Sequence, residues 1–196
     1  ELVEIEHILE NLSLMAARAV DDIAYNMELL TELDFIFARG RFARSYNGTQ
    51  PLFNTRGIID IKGARHPLLE KHSVVPVDIR LGEEYNLLII TGPNTGGKTV
   101  SLKTLGLFTL MGQAGLHIPA LEGSRLNVFD DVFADIGDEQ SIEQNLSTFS
   151  SHMSNIVYIV NHAGPNTLCL FDEPGGGTDP VEGAALAISI LNFLKN

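Results

Sequence analysis

Apolar positions near the start of the chain recur at steps of three and four. They fall at residues 2, 5, 9, 12, 16, 20, 23, 27, 30, 33 and 37, and no proline or glycine occurs before Gly40. Such steps place side chains on one face of an α-helix. The pattern predicts a helical packing element, either one long helix or a hairpin broken near Asn11–Ser13 or near Asn26.

The pattern changes at Tyr46–Pro51, a stretch rich in turn-forming residues. Beyond it, short apolar runs alternate with helical patterns. We therefore place a domain boundary near residue 48, which gives a helical segment over 1–48 and a second domain over 49–196.

The second domain combines predicted strands with predicted helices. The strands are Ile58–Ile61, Val74–Ile79, a buried strand at Asn86–Thr91, and Thr167–Phe171. The helices span about 98–114, 145–160 and 180–193. Strands that alternate with helices indicate a layered α/β fold with a largely parallel sheet.

A glycine-rich loop lies between the strand at Asn86–Thr91 and the helix that follows it. It consists of Gly92, Pro93, Asn94, Thr95, Gly96, Gly97, Lys98 and Thr99, and it fits the pattern G-x-x-x-x-G-K-[ST] at every fixed position. Glycines allow backbone N–H groups to surround an anion, and the helix N-terminus adds partial positive charge. Lys98 is expected to reach the β- and γ-phosphates of ATP, and the Thr99 hydroxyl is expected to bind Mg²⁺.

Two adjacent carboxylates follow the strand Thr167–Phe171. Asp172 is expected to hold the Mg²⁺ shell, directly or through water. Glu173 is placed to polarise a water molecule in line with the γ-phosphate, as a general base does. The pair therefore predicts hydrolysis of ATP as well as binding.

Ser147 and Thr148 precede an apolar helical run, and two roles are open for them. They can serve as a helix cap and nothing more. Alternatively, the capped N-terminus with its two hydroxyls is also an anion site, which engages the γ-phosphate held by another subunit.

Composition limits the partners of this chain. Thirteen Lys and Arg against twenty-five Asp and Glu give a net charge of −12, which leaves no broad cationic surface for a polyanion. Any contact with nucleic acid must then be local or come from a partner. The single cysteine, Cys169, suits a reducing compartment, so we expect a cytoplasmic protein without a membrane segment.

At this point the sequence resembles the MutS family of ATP-binding-cassette-type ATPases, and within it the bacterial MutS-two paralogue. The resemblance covers essentially the whole chain. The motifs that carry it are Arg65–Pro67, Thr91–Thr99, Gly115–Ala120, Phe133–Gln144, Leu146–Met153 and Gly177–Ala187.

The resemblance implies a P-loop ATPase that uses ATP or ADP with Mg²⁺ and dimerises through composite nucleotide sites. Leu146–Phe149 would be the signature loop acting on the partner's nucleotide, and Val74 and Val75 would contact adenine. Residues 1 to about 48 would belong to the lever helices and helical core. The family is associated with suppression of homologous recombination, with branched DNA and, in some bacteria, with rescue of collided ribosomes. Its nuclease domain, like its DNA- and rRNA-binding parts, would lie outside these residues.

Three departures from the family pattern bear on the site. Pro174 stands where Leu is usual, Gly176 stands where another small residue is usual, and Val77 stands where many relatives have Asn. The chain is also expected to lack the final strand with its switch histidine. We therefore expect ATP or ADP binding with poor turnover by this chain alone.

Two other readings compete with the ATPase. One is a cassette of the structural-maintenance or Rad-fifty type, although those proteins place the phosphate loop before their coiled coil and carry a Leu-Ser-Gly-Gly signature. The other is a dimerisation module in which the nucleotide is structural and turnover is insignificant.

Overall fold

The computed structural model describes residues 1–70, 73–93, 96–137 and 145–195, without the side chains of residues 145–148. The chain divides into two compact units. The first comprises Glu1–Ser45 and the second begins at Tyr46.

The first unit contains two helices, α1 (Leu2–Arg18) and α2 (Val20–Ser45). They are separated at Ala19, so both predicted break points are wrong. Ala19 leaves the helical conformation with φ −107° and ψ 8°, and its N–H bonds to Ala16 at 3.0 Å. A single alanine that changes conformation carries no glycine or proline signal, which is why the pattern did not reveal it.

The second unit has a four-stranded sheet and a separate two-stranded sheet. The four-stranded sheet is ordered β1-β4-β2-β3, and the two-stranded sheet pairs β5 with β6. The strands are β1 (Leu52–Asn54), β2 (Ile59–Ala64), β3 (Val77–Leu81), β4 (Arg125–Asn127), β5 (Asp131–Asp135) and β6 (Thr167–Phe171). The helices are α3 (Lys98–Gln113), α4 (Asn145–His162) and α5 (Pro180–Lys195).

The α/β fold class agrees with the prediction, but the largely parallel sheet does not. In the four-stranded sheet, β1 runs parallel to β4, whereas β2 is antiparallel to both β3 and β4. A parallel connection needs a crossover, usually a helix, and none of the described residues between β2 and β3 forms one. The two-stranded sheet alone is wholly parallel.

The predicted buried strand at Asn86–Thr91 is also wrong. No described strand pairs with this segment, and Ile89 is 63% exposed. An apolar run becomes a strand only where a neighbour accepts its backbone hydrogen bonds. Leu88 and Ile90 are exposed as well, so neither the strand nor its burial is observed in the described residues.

Helix α3 carries the centre of the core. Phe108 is fully buried, and Leu105 and Met111 on the same helix are nearly so. This helix contacts β4, β5 and β6, so it packs on strands of both sheets. The core thereby fixes the N-terminus of α3 relative to the carboxyl end of β6.

Candidate nucleotide site

The N-terminus of α3 is open in front of the glycine-rich loop. Its cap residue, Gly97, has a left-handed backbone with φ 77° and makes no side-chain cap hydrogen bond. Among the described residues, a Cβ added at Gly92 or Gly97 would meet no atom within 4 Å. The first N–H groups of a helix need acceptors from outside the helix. The loop therefore leaves a cradle of the kind that a phosphate fills.

Lys98 and Thr99 are the first two residues of α3. The Lys98 ammonium donates a hydrogen bond to the Gly92 carbonyl at 2.7 Å, which folds its side chain back over the loop. Below them, both the N–H and the hydroxyl of Ser101 bond to the Gly97 carbonyl at 2.9 Å. The first turn of the helix is thus held in place beneath the lysine.

Asp172 and Glu173 follow β6 directly. The Asp172 N–H donates to the Asp135 carbonyl at 2.9 Å, which extends the β5–β6 pairing by one bond. Glu173 has φ +49°, and the Gly176 N–H closes a turn onto its carbonyl at 2.8 Å. A residue other than glycine rarely adopts this backbone, at a cost of about 1–3 kcal/mol, and such strain concentrates at active sites.

A cavity of about 260 Å³ brings the two predicted halves of the site together. Lys98, Asp172 and Glu173 are all among the residues that line it. Its remaining walls are largely apolar and come from residues 86–90 and from β3, α3, β6 and α5. Burial also raises the pKa of the wall residue Cys169, so its thiol stays protonated and uncharged at neutral pH.

The loop after Glu173 lies close against the start of α5. A Cβ on Gly175 would fall 2.4 Å from the Gly183 carbonyl oxygen, and Gly175 has φ +97°. Asp179 caps α5, since its carboxylate accepts the Val181 N–H at 2.9 Å. Pro180 is the first residue of this helix, a position that suits proline because its missing N–H would have no partner within the helix.

Other predicted site residues are not gathered at this cavity. Val75 is 81% exposed, and neither Val74 nor Val75 is among the described residues that line it. Asn94 and Thr95 lie outside the described residues. Helix α4 begins at Asn145, so Ser147 and Thr148 belong to its first turn, and their side chains lie outside what the structure describes.

Sequence reasoning missed one polar cluster beside the site. Asp135, at the end of β5, is 4% exposed and bonds to His152 and Asn155 of α4. The sequence signal was an acidic residue at the end of an apolar strand, directly comparable to Asp172. The sequence does not single out Asp135, because no phosphate-loop motif accompanies it and it lies within a longer motif.

The residues present suit a magnesium ion. The Thr99 hydroxyl and the Asp172 carboxylate are hard oxygen ligands, which Mg²⁺ prefers. Asp172 lines the cavity, whereas Thr99 is not among the described residues that line it. Thr99 and Asp172 are the residues that would hold it. The cradle at Gly92 and Gly97 leaves room for the phosphates that share the ion.

The chain matches a known protein family. Residues 88–196 match the family model described as MutS domain V. No helix among the described residues has both the length and the apolar character that crossing a membrane requires.

The chain is also similar to proteins named Endonuclease MutS2. It is 66% identical to that of Agathobacter rectalis over 194 residues, which cover 99% of this chain and 24% of the relative. It is 62% identical to that of Bacillus velezensis over 192 residues, 98% of this chain and 24% of the relative. The chain thus spans about a quarter of the length of these curated relatives. Because the domain V match covers more than half of its residues, the chain belongs to the MutS family.

Proposed function

We propose that this chain is the ATP-binding and ATP-hydrolysing domain of a MutS-like protein that acts on DNA. One observation carries the proposal: Lys98 of the phosphate loop faces the same cavity as Asp172 and Glu173. A phosphate loop alone binds nucleotide, whereas the adjacent carboxylate pair adds the means to hydrolyse it.

Binding begins at the cradle. The N–H groups at the start of α3 donate hydrogen bonds to the phosphate oxygens, and Lys98 exchanges its bond to the Gly92 carbonyl for the β- and γ-phosphates. Thr99 and Asp172 would hold Mg²⁺, which would supply neutralisation of the charge on the phosphates. These contacts orient the γ-phosphate toward the carboxyl end of β6.

Hydrolysis depends on Glu173. Its exposed carboxylate orients a water molecule and accepts one of its protons as the water oxygen forms a bond to the γ-phosphorus. The bond between that phosphorus and the bridging oxygen breaks, which yields ADP and inorganic phosphate. The turn closed by Gly176 fixes the backbone from which this carboxylate projects.

A second copy of the chain completes the site in this proposal. The first turn of α4, with Ser147 and Thr148, would engage the γ-phosphate held by the partner, and Val74 and Val75 would contact adenine. The exposure of Glu173, which lines the cavity, supports this part of the proposal, because a second copy could reach it.

The open cavity supports one further part of the proposal. Residues 86–90 and β6 both line this cavity, residues 86–90 pair with no described strand, and β6 pairs with β5 alone among the described strands. We propose that the predicted final strand, with its switch histidine, fills this gap in the longer protein. This chain alone should accordingly bind ATP or ADP and turn it over poorly.

The wider role belongs to the longer protein. The relatives are named as endonucleases. We propose that nuclease activity and binding of branched DNA reside in segments other than this one. Suppression of recombination and rescue of collided ribosomes would be its outputs. The net charge of −12 supports this division, because it disfavours broad phosphate contacts here.

Matched variants test the ATPase directly. In a chain extended to the full length of the relatives, we expect Lys98→Ala to lose Mg-ATP binding and Glu173→Gln to bind ATP but release no phosphate. Lys103→Ala, on the same helix, and Glu182→Gln, on α5, are the controls and should behave as the wild type.

The possible results distinguish the ATPase from its alternatives. Retained ATP binding by Lys98→Ala would overturn the nucleotide site. Phosphate release at the wild-type rate by Glu173→Gln would overturn its role as base. ATP-dependent dimers without phosphate release by the wild type would favour the nucleotide-dependent dimerisation module instead.

A further inference from the structure

The buried carboxylate of Asp135 connects α4 to β5, and β5 pairs with β6, the strand that leads to Asp172 and Glu173. The side chain of Asp135 is 5% exposed, and Nδ1 of His152 lies 3.0 Å from each of its two oxygens. Asn155 donates to the same carboxylate at 2.8 Å. A buried carboxylate is costly without such partners, so both contacts are under strong energetic constraint.

The main chain of the same residue reaches the candidate catalytic pair. The Asp135 carbonyl accepts the Asp172 N–H at 2.9 Å, and Glu173 is the next residue. Asp135 also lies opposite Phe171 in the parallel register of β5 and β6. One residue therefore joins two α4 side chains to the backbone that places Asp172 and Glu173.

Contacts between α4 and its surroundings continue along the face of the helix that carries His152 and Asn155. His152 and Asn155 are three residues apart, which sets them on the same side of a helix. The next position in that series, Tyr158, makes an edge-to-face contact with Phe133 of β5 at 6.0 Å between ring centres. Ile156 and Ile159 are buried beside them. The helix is thus fixed to β5 by both polar and apolar contacts.

We propose that Asp135, His152 and Asn155 are positioning residues that couple the first turn of α4 to Asp172 and Glu173. We call these three residues the α4 clamp. The inference rests on the proposed function, in which Ser147 and Thr148 serve the nucleotide of a partner copy. A helix rises 1.5 Å per residue, so His152 lies only about 7 Å along the axis from Ser147. The clamp would then link the contact with the partner's nucleotide to the chain's own metal strand.

This role predicts a separation of binding from turnover. The phosphate cradle is built by Gly92, Gly97 and Lys98, none of which bonds to the clamp in the described contacts. Loss of the clamp should leave Mg-ATP affinity within about twofold of the wild type. It should lower kcat about tenfold or more, because a small displacement of the reacting groups at Asp172 and Glu173 raises the barrier to hydrolysis.

Two matched pairs of variants on α4 test the clamp. His152→Ala and Asn155→Ala remove contacts with Asp135. His162→Ala and Asn161→Ala make the same substitutions where the side chains bond to Tyr158 and Val157 of their own helix. All four are measured for kcat, Mg-ATP affinity and melting temperature in the chain extended to the relatives' length. The first pair should lose turnover, whereas the second should not.

Two further variants separate positioning from simple destabilisation. His152→Gln keeps a donor for the carboxylate and should restore most of kcat. Gly137→Ala would place a Cβ 2.7 Å from the His152 ring and should displace it without deleting it. Gly137→Ala replaces His152→Ala in the test if the latter does not fold. We expect it to lose less turnover than removal of the His152 ring would.

The inference is overturned if clamp variants keep the wild-type kcat. It is equally overturned if affinity and kcat fall together with the melting temperature and His152→Gln restores neither, since that result indicates a structural role alone. Failure of the proposed function is distinct: Lys98→Ala would then still bind ATP.

Discussion

At the scale of single residues, backbone strain distinguishes one residue of the site from the others. Glu173 adopts a left-handed backbone directly before Pro174, a position where proline restricts its neighbour to extended conformations. Its neighbour in function, Lys98, lies at an ordinary helix start. The strained residue is therefore Glu173, which acts as the general base in the proposed chemistry.

The strain at Glu173 predicts a trade between stability and turnover. Glu173→Gly relieves the left-handed backbone and should raise the free energy of unfolding by about 1 kcal/mol, while it abolishes phosphate release. Glu173→Gln keeps the strain and should leave stability unchanged. Urea unfolding of both variants measures the difference, and equal midpoints would show that the backbone at this position is not strained.

His66 predicts a pH effect on stability. Burial, aided by the nearby charge of Lys103, lowers the pKa of His66 below its ordinary value of about 6.5. The folded chain then binds this proton less readily than the unfolded chain, so stability falls as pH drops from about 6.5 through the lowered pKa.

His66→Gln should reduce that acid sensitivity, although the half-buried position keeps the effect small. Urea midpoints at about pH 7.5 and pH 5.5, compared with those of the exposed-helix variant His162→Gln, measure it. An equal drop in wild type and His66→Gln would contradict this reading.

At the scale of elements, local signals predicted the helices better than the strands. The starts of α3 and α5 agree with the prediction because a glycine-rich loop and an Asp-Pro pair mark them in the sequence. β6 was predicted at its observed bounds. The run at Asn86–Thr91 failed because strand pairing depends on a distant segment, which no local pattern specifies.

The interpretation of the sheet failed for the same reason. Alternating strands and helices indicated parallel pairing, yet β2 and β3 are antiparallel, and their connection contains no described helix. The α4 clamp was missed because it joins residues 135 and 152 through space. Spacing along the chain shows neither its burial nor its partners.

The cap of α5 gives a prediction at this scale. Asp179→Ala removes the acceptor for the Val181 N–H and should lower the free energy of unfolding by about 1 kcal/mol. Asp179→Ser should recover most of it, because serine is a comparable cap. Chemical denaturation without nucleotide checks both variants, and an Ala variant as stable as the wild type would contradict the cap's contribution.

At the scale of the whole molecule, exposed apolar surface is the most informative feature. Leu9, Leu12 and Leu30 of the helical unit are each more than half exposed, as is Ile89 beside the cavity of the second unit. Such surface is costly in water. The chain spans about a quarter of its relatives' length, which agrees with the proposal that further segments cover it.

Hydrogen exchange tests that proposal at residues 87–90. In this chain their backbone pairs with no described strand, so their amides should exchange rapidly. In a chain extended to the relatives' full length, the proposed strand should protect them by a factor of at least about one hundred. Amides in the middle of α3 provide the internal reference, and rapid exchange of 87–90 in both chains would refute the added strand.

The central claim is that Lys98 and the pair Asp172–Glu173 form one ATP-hydrolysing site. Single-turnover phosphate release from bound Mg-ATP, measured in the extended chain for wild type and Glu173→Gln, tests it most directly. We expect release by the wild type and at least about a hundredfold slower release by Glu173→Gln, with equal amounts of ATP bound. Equal release rates for the two proteins would contradict it.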